Sequence, residues 1–387
     1  MRWDRAQPDS MTPVYLDYAA SSPIPGVVLE EMIPWLQAGF GNPSSVHAAG
    51  RAARHVVEES RDKIATLLGA RSEEIIFTSG GTEANHLAIL GWSGSGPVVT
   101  STAEHAAILA PVEALEKRGH RVSRVQPDAD GRVAPALVAK SMENDGLASV
   151  MLVNNELGTI NPVRAVADLC HEMGARIHCD AIQGPAFLNL DVDDLGVDLL
   201  SLSAHKVGGP KGTGILYVRS GCPLNALSTA GGQERDRRGG TENVAGIVGM
   251  AAALTWQSLY GASHRKKMAR LNARLRAGLL ALLGDRIVIN SPSEGCAPHI
   301  LSVGVSGVPP QTGGEMLILG MDLEGVQVSA GSACSSGALS PSHVLTAIGR
   351  DQDSAVRFSI GWGTTEADID YAIDAAAKVI TRVRASL

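Results

Sequence analysis

Between about residue 60 and residue 255 the chain alternates short apolar runs, each ending in a polar or glycine-rich loop, with stretches of helical periodicity. No other feature constrains the fold as strongly. A run that is apolar on both faces needs cover on both sides, and helices laid between parallel strands supply it. Strands are expected at 74–78, 98–101, 150–153, 176–179, 199–203 and 215–218, with a helix at 163–173 among the connections. From residue 263 the texture changes. Residues 265–283 read as an amphipathic helix stopped by Gly284, followed by shorter strands near 287–289, 299–305 and 326–329. A final helix is expected to start near Thr365, where Thr365 and Asp368 have capping-box spacing and Ile369, Ile373, Ala376 and Ile380 form an apolar stripe. The expected fold class is therefore α/β. A large domain at 13–262 carries a mostly parallel sheet, and a smaller α+β domain at 263–387 is joined by an N-terminal arm, 1–12.

Composition narrows the function. The 43 glycines and the 4% aromatic content favour Ala/Val/Leu packing with many tight loops over a stacking platform for bases. A net charge of −7 argues against nucleic acid as a direct partner, and the cluster Arg235, Arg237, Arg238 is too small to reverse that. No run of about 18 uncharged apolar residues occurs, so no membrane span is expected. The N-terminus lacks an apolar signal region, and Met11 stands as an alternative start. The five cysteines (Cys170, Cys179, Cys222, Cys296, Cys334) are odd in number and contain no C-x-x-C pair. Neither a disulfide framework nor a bound metal is expected, and the cytoplasm is the natural compartment.

The polar groups that end the apolar runs carry the chemistry. Lys206 follows the run at 197–202 and precedes the glycine-rich turn Gly208-Gly209-Pro210-Lys211-Gly212. In a parallel α/β sheet the carboxyl rim is where ligands sit, and a lysine there can form an imine with a carbonyl cofactor. Ser79-Gly80-Gly81-Thr82 lies between a strand and a helix, the arrangement of a phosphate cradle, although it lacks the Gly-Lys-Ser/Thr ending of a nucleotide loop. Asp180 ends another run, with Gln183 one helical turn further; His105 and Asn155 follow two more. An imine-forming lysine, a phosphate cup and an acid for a ring nitrogen are what pyridoxal phosphate requires. A second constellation is Ser329-Ala330-Gly331-Ser332-Ala333-Cys334-Ser335-Ser336-Gly337, where tiny residues flank a cysteine that can act as a nucleophile. Arg357 lies in an otherwise apolar strand and needs an anion, for which a substrate carboxylate is one candidate.

Taken together these segments resemble the cysteine desulfurases of the class V aminotransferase superfamily, the NifS/IscS-like proteins. The resemblance runs almost end to end, through 15–20, 41–47, 79–85, Glu104-His105, 154–156, 203–206, 238–243 and the SACSSG loop, whose form points to the branch with a long cysteine loop. It implies the pyridoxal-phosphate fold type I and a homodimer with shared active sites. Lys206 would hold the cofactor as an aldimine. Gly81, Thr82, Ser203 and His205 would bind its phosphate, and Thr241 would do so from the neighbouring subunit. Asp180 would face the pyridine nitrogen, Gln183 the phenolic oxygen, and His105 would stack on the ring and act as acid–base. Asn155 would contact both cofactor and substrate, and with Arg357 it would hold the substrate carboxylate side. L-Cysteine would pass through aldimine and ketimine stages to L-alanine, leaving a persulfide on Cys334 for a protein sulfur acceptor. In a scaffold complex Cys334 would be a transient iron–sulfur ligand. The alternatives are another class V enzyme (an aminotransferase or a C–S/C–Se lyase) or a non-catalytic scaffold. The chain ends at Leu387, without the longer tail by which relatives dedicated to iron–sulfur assembly dock their scaffold.

Overall fold

A computed structural model of the chain describes residues 13–330 and 342–387. Twelve strands lie among these residues: β1 (Val14–Tyr15), β2 (Ile75–Thr78), β3 (Val98–Ser101), β4 (Val122–Val125), β5 (Leu147–Ser149), β6 (Arg176–Asp180), β7 (Leu199–Ser203), β8 (Gly214–Val218), β9 (Ile287–Ile289), β10 (Ile300–Val305), β11 (Val326–Gln327) and β12 (Ser354–Ser359). The main sheet has the order β2-β8-β7-β6-β5-β3-β4, with β8 antiparallel to both neighbours and the other pairings parallel. A smaller antiparallel sheet orders β12-β10-β9, and β1 pairs with β11. The α/β class with a mostly parallel sheet is therefore as expected. Central strands such as β7 (Leu-Leu-Ser-Leu-Ser) are buried throughout, which is why they read as predominantly apolar runs without strict alternation of exposed residues.

Three differences from the sequence reading have physical causes. The strand expected at 150–153 is β5, three residues earlier. The chain beyond it still lies along β6, with the N–H groups of Val150 and Leu152 donating to the carbonyls of His178 and Asp180. Edge strand β4 has the sequence Val-Ser-Arg-Val, too polar to form an apolar run. The helix expected at 265–283 is the second half of a 40-residue helix, Val244–Leu283. Its first eight residues are all buried, so that half has no polar face and no stripe to read. At 1.5 Å per residue it spans about 60 Å. It packs on helices Gly26–Gln37 and Ala48–Leu68 and on the final helix Glu366–Ser386. The capping box at Thr365 and Asp368 is formed.

One buried histidine of the sheet makes stability sensitive to acid. His178 in β6 places Nδ1 2.9 Å from Ser149 Oγ and Nε2 2.9 Å from Ser201 Oγ. Burial pushes its pKa from 6.5 down to about 3. The unfolded chain therefore binds a proton that the folded chain refuses. Stability from this group is complete above pH 6.5 and is lost as pH falls towards 3. We expect His178→Asn to flatten the acid limb of a stability-versus-pH curve from denaturant unfolding. A variant curve parallel to wild type below pH 6.5 would rule this out.

Candidate active site

The carboxyl ends of β2, β6 and β7 meet, and the candidate residues meet with them. Lys206 ends a 3₁₀ turn, Ala204–Lys206, that continues β7 directly. Its Nζ donates to the carbonyls of Ala19 and Ala20, at 2.6 and 3.0 Å. The Ala19 carbonyl also accepts from Gln183 Nε2 at 2.9 Å, so lysine and glutamine converge on one oxygen.

Asp180, the last residue of β6, is buried. Its Oδ2 accepts from Asn85 Nδ2 at 2.7 Å and its Oδ1 from the Ile182 N–H at 3.1 Å. Burial raises its pKa, opposed by the charges of His105 and Lys206 and by these hydrogen bonds. His105 caps helix Ala106–Lys117, its Nδ1 accepting from the Ala107 N–H at 3.1 Å. Neutral His105 therefore carries its proton on Nε2. Burial lowers its pKa; Asp180 opposes this, and Lys206 and His343 add to it.

The turn after β2 is shaped by two glycines. Gly80 has φ of +152°, which side-chain-bearing residues rarely adopt, and a Cβ on Gly81 would lie 2.2 Å from Ile182 Cδ1. Gly81 thus allows the start of helix Gly81–Leu90 to press against Ile182, just past the end of β6, and a Cβ there would also lie 3.5 Å from Ser203 Cβ. The first N–H groups of a helix have no acceptor within it. Here they lie beside Ser203, with Thr82 exposed on the same turn. His205 sits 3.3 Å from Ser21 Oγ, and burial with nearby Lys206 and Lys211 pushes its pKa down to about 4.

Arg357 in β12 is buried beside a carboxylate from its own chain. Its Nη2 lies 3.0 Å from Asp17 Oδ1, and its Nη1 donates to the Asn155 carbonyl at 2.7 Å. Asp17 thus supplies one anion to this buried guanidinium from within the chain, on one of its nitrogens. Thr241 is exposed in the loop before the long helix and joins none of these hydrogen bonds. Cys334 lies outside the described residues.

The matched family is Aminotransferase class-V, over residues 14–372. The cysteine desulfurase IscS of Dictyoglomus turgidum is 42% identical over 380 residues, covering 96% of this chain and 95% of that protein. A solved NifS-like protein superposes with a TM-score of 0.87 at 34% identity, covering 96% of this chain and 100% of that one. A structure described as SspA in complex with cysteine gives 0.78 at 33% identity, over 89% and 98% of the two chains. The chain belongs to the class V aminotransferase family, among its NifS/IscS-like cysteine desulfurases.

The donor set fits the pyridoxal phosphate that this family uses. A cationic ring nitrogen beside Asp180 would offset the burial that raises its pKa. The glycine turn offers backbone donors to a phosphate, and Lys206 Nζ is the amine within the same cluster.

Two buried acids within this class V site had no role assigned from sequence. Glu104, next to His105, accepts from the Met151 N–H at 2.9 Å through Oε1, while its Oε2 has no hydrogen-bond partner among the described residues. Burial pushes its pKa well up. Glu156, next to Asn155, accepts from Ser342 Oγ at 2.5 Å, and His343 Nε2 lies 2.8 Å from the Glu104 carbonyl oxygen. Glu156 through its carboxylate, and Glu104 through its main-chain carbonyl, thus hold Ser342 and His343 against the site. Their sequence signal was only adjacency to His105 and Asn155.

Proposed function

We propose that this chain is a pyridoxal-phosphate-dependent cysteine desulfurase that converts L-cysteine to L-alanine and retains the sulfur as a persulfide on Cys334. The observation that carries the reading is the convergence of Lys206, Asp180 and His105 in a chain 42% identical to a cysteine desulfurase. When bound, pyridoxal phosphate supplies an electron sink for negative charge at the substrate α-carbon.

The protein residues do the rest. Lys206 Nζ moves the α-proton from a position fixed by two carbonyls. Asp180 holds the cofactor's ring nitrogen in its protonated form, and Asn85 fixes the acid's orientation. Neutral His105 presents Nε2–H as a proton donor. Arg357 and Asn155 orient the substrate carboxylate, with Asp17 setting the guanidinium plane. Cys334, as thiolate, attacks the substrate sulfur. The C–S bond breaks, its electron pair stays on carbon, and that carbon takes a proton to become the methyl group of alanine.

The proposed assembly is a homodimer, in which each Thr241 completes the partner's phosphate cup. Support comes from its exposure and from apolar side chains on the surface near the first helix, Phe40 (89% exposed) and Val46 (87%) among them. No described helix is long and apolar enough to cross a membrane.

Incubation of the cofactor-loaded protein with L-cysteine tests the reading. Equal amounts of alanine and sulfane sulfur are expected, with the mass of one sulfur atom added to Cys334. Formation of pyruvate and ammonia, or of a transaminated cofactor, would replace desulfuration with another class V reaction. Within the same reading Asp180→Asn keeps the side-chain size but loses the charge. It should lower turnover about 10²-fold or more at saturating cofactor. Full activity would show that the ring nitrogen does not need the acid.

A further inference from the structure

Glu234, Arg235 and Asp236 are three consecutive residues in the left-handed region, with φ of 47, 57 and 61°. Side-chain-bearing residues adopt that backbone only where their surroundings hold it. Here the holding contacts are specific. Glu234 is buried, and its Oε2 and Oε1 accept from Arg61 Nη1 and Nη2 at 2.8 and 2.9 Å. The same Oε2 accepts from the Phe77 N–H at 2.8 Å. Arg61 donates in addition to the Ile75 carbonyl at 2.8 Å, and its guanidinium lies over the Phe77 ring at 4.6 Å. The strained turn is thereby fastened to β2, the strand that leads into the glycine turn Ser79–Gly81.

A second fastening lies just beyond. Arg238 Nε and Nη2 donate to Glu83 Oε1 and Oε2 at 2.7 and 3.3 Å. Glu83 is the third residue of the helix that starts at Gly81, and its Oε2 accepts the Ser79 N–H at 2.7 Å. Gln233 Oε1 closes the loop on itself by accepting the Gly240 N–H at 3.1 Å. The remaining arginines also reach the same chain, at its surface and over longer contacts: Arg235 Nη1 to the Ser72 carbonyl at 3.4 Å and Arg237 Nη1 to that of Glu73 at 3.5 Å. The basic cluster seen in the sequence therefore clamps a loop to its own chain.

We propose that loop 231–240 is a brace for the phosphate cup, with Arg61, Glu234 and Arg238 as positioning residues that fix the direction of the Gly81 and Thr82 N–H groups. The inference rests on the cofactor reading above. The buried ion pair sets the height of β2, and the Arg238–Glu83 pair spends the Ser79 N–H and holds the helix start. Thr241, three residues past Arg238, takes its direction from the same brace.

A brace of this kind acts on the phosphate and not on the ring. The test compares pyridoxal phosphate with pyridoxal, which lacks the phosphate, in absorbance titrations of the cofactor-free full chain. Wild type should prefer the phosphorylated form. Arg238→Met should weaken pyridoxal phosphate about tenfold or more while leaving pyridoxal within about twofold, as loss of an outer hydrogen-bonding partner does elsewhere. Arg238→Lys should recover part of the loss. Glu234→Gln should behave like Arg238→Met; because it alters a buried pair, thermal melts must accompany it, and the half-buried Arg238 keeps the test open if it does not fold. Equal weakening of both ligands, or retained preference in Arg238→Met, would overturn the brace. A wild type without preference would overturn the phosphate cup itself, and the brace with it.

Discussion

Lys206→Ala is expected to abolish covalent capture of pyridoxal phosphate and to lower desulfuration of L-cysteine about 10³-fold or more. The Nζ that Ala19 and Ala20 hold at 2.6 and 3.0 Å is the amine placed in this cluster to bond a carbonyl carbon and to carry the α-proton. A methyl group reaches neither. Lys206→Arg should fail equally, because a guanidinium keeps its proton at any pH the protein survives. The readout is borohydride reduction of the loaded protein followed by denaturation. Wild type should retain the chromophore on the chain, and both variants should release it. Lys211→Ala, exposed on the same glycine-rich loop, should retain it. A reduced Lys206→Ala chain that kept the label would place the attachment elsewhere and sink the assignment. The same variant carries an internal check. Lys206 contributes to the depressed pKa of His205, near 4, so that histidine's titration should move upward when the lysine charge is removed.

The groups that cluster with Lys206 were legible wherever a side chain ends an apolar strand. β6 delivers Asp180 and β7, with the turn that continues it, delivers Ser203 and Lys206 because strands buried on both faces expose polar groups to a ligand at the rim where they stop. What supports those groups was not legible, for several reasons. The acceptors for Lys206 are main-chain carbonyls of Ala19 and Ala20, which leave no mark in a side-chain pattern. Asn85, which orients Asp180, sits 95 residues away inside a helix, where it reads as an ordinary polar residue. The partner of Arg357 is Asp17, 340 residues distant. An arginine in an apolar strand announces the need for an anion but not its source. Glu104 and Glu156 stood in plain view beside His105 and Asn155. Burial of a carboxyl group, however, is a property of the assembled core and not of the neighbouring letters. The long helix was half hidden for the opposite reason: its first turns are buried on every side, so the periodicity that reveals a surface helix is absent.

Cys334→Ala is expected to stop sulfur transfer while leaving capture of the cofactor by Lys206 intact. Attack on a sulfur atom needs a thiolate, so the question is which cysteine can supply one near neutral pH. The four cysteines among the described residues are poor candidates. Burial pushes the pKa of Cys170 and Cys222 up to about 12, that of Cys296 to about 11, and that of Cys179 well above its ordinary value. Each is a thiol, not a thiolate, under assay conditions. That leaves Cys334, whose sequence neighbours Ser332, Ala333, Ser335 and Ser336 offer no apolar shell to suppress ionisation. Mild alkylation at neutral pH should therefore modify one residue in wild type and none in Cys334→Ala. Without added thiol, alanine formation by that variant should fall about 10³-fold, with the borohydride-trapped cofactor unchanged. Cys334→Ser should fail as completely, since an alcohol stays protonated where a thiol ionises. Cys296→Ala should turn over normally. If Cys334→Ala still made alanine at the wild-type rate with no thiol present, the sulfur would be leaving by elimination to solvent. Lys206, Asp180 and His105 would then serve a lyase, and the persulfide would have no place in the reaction.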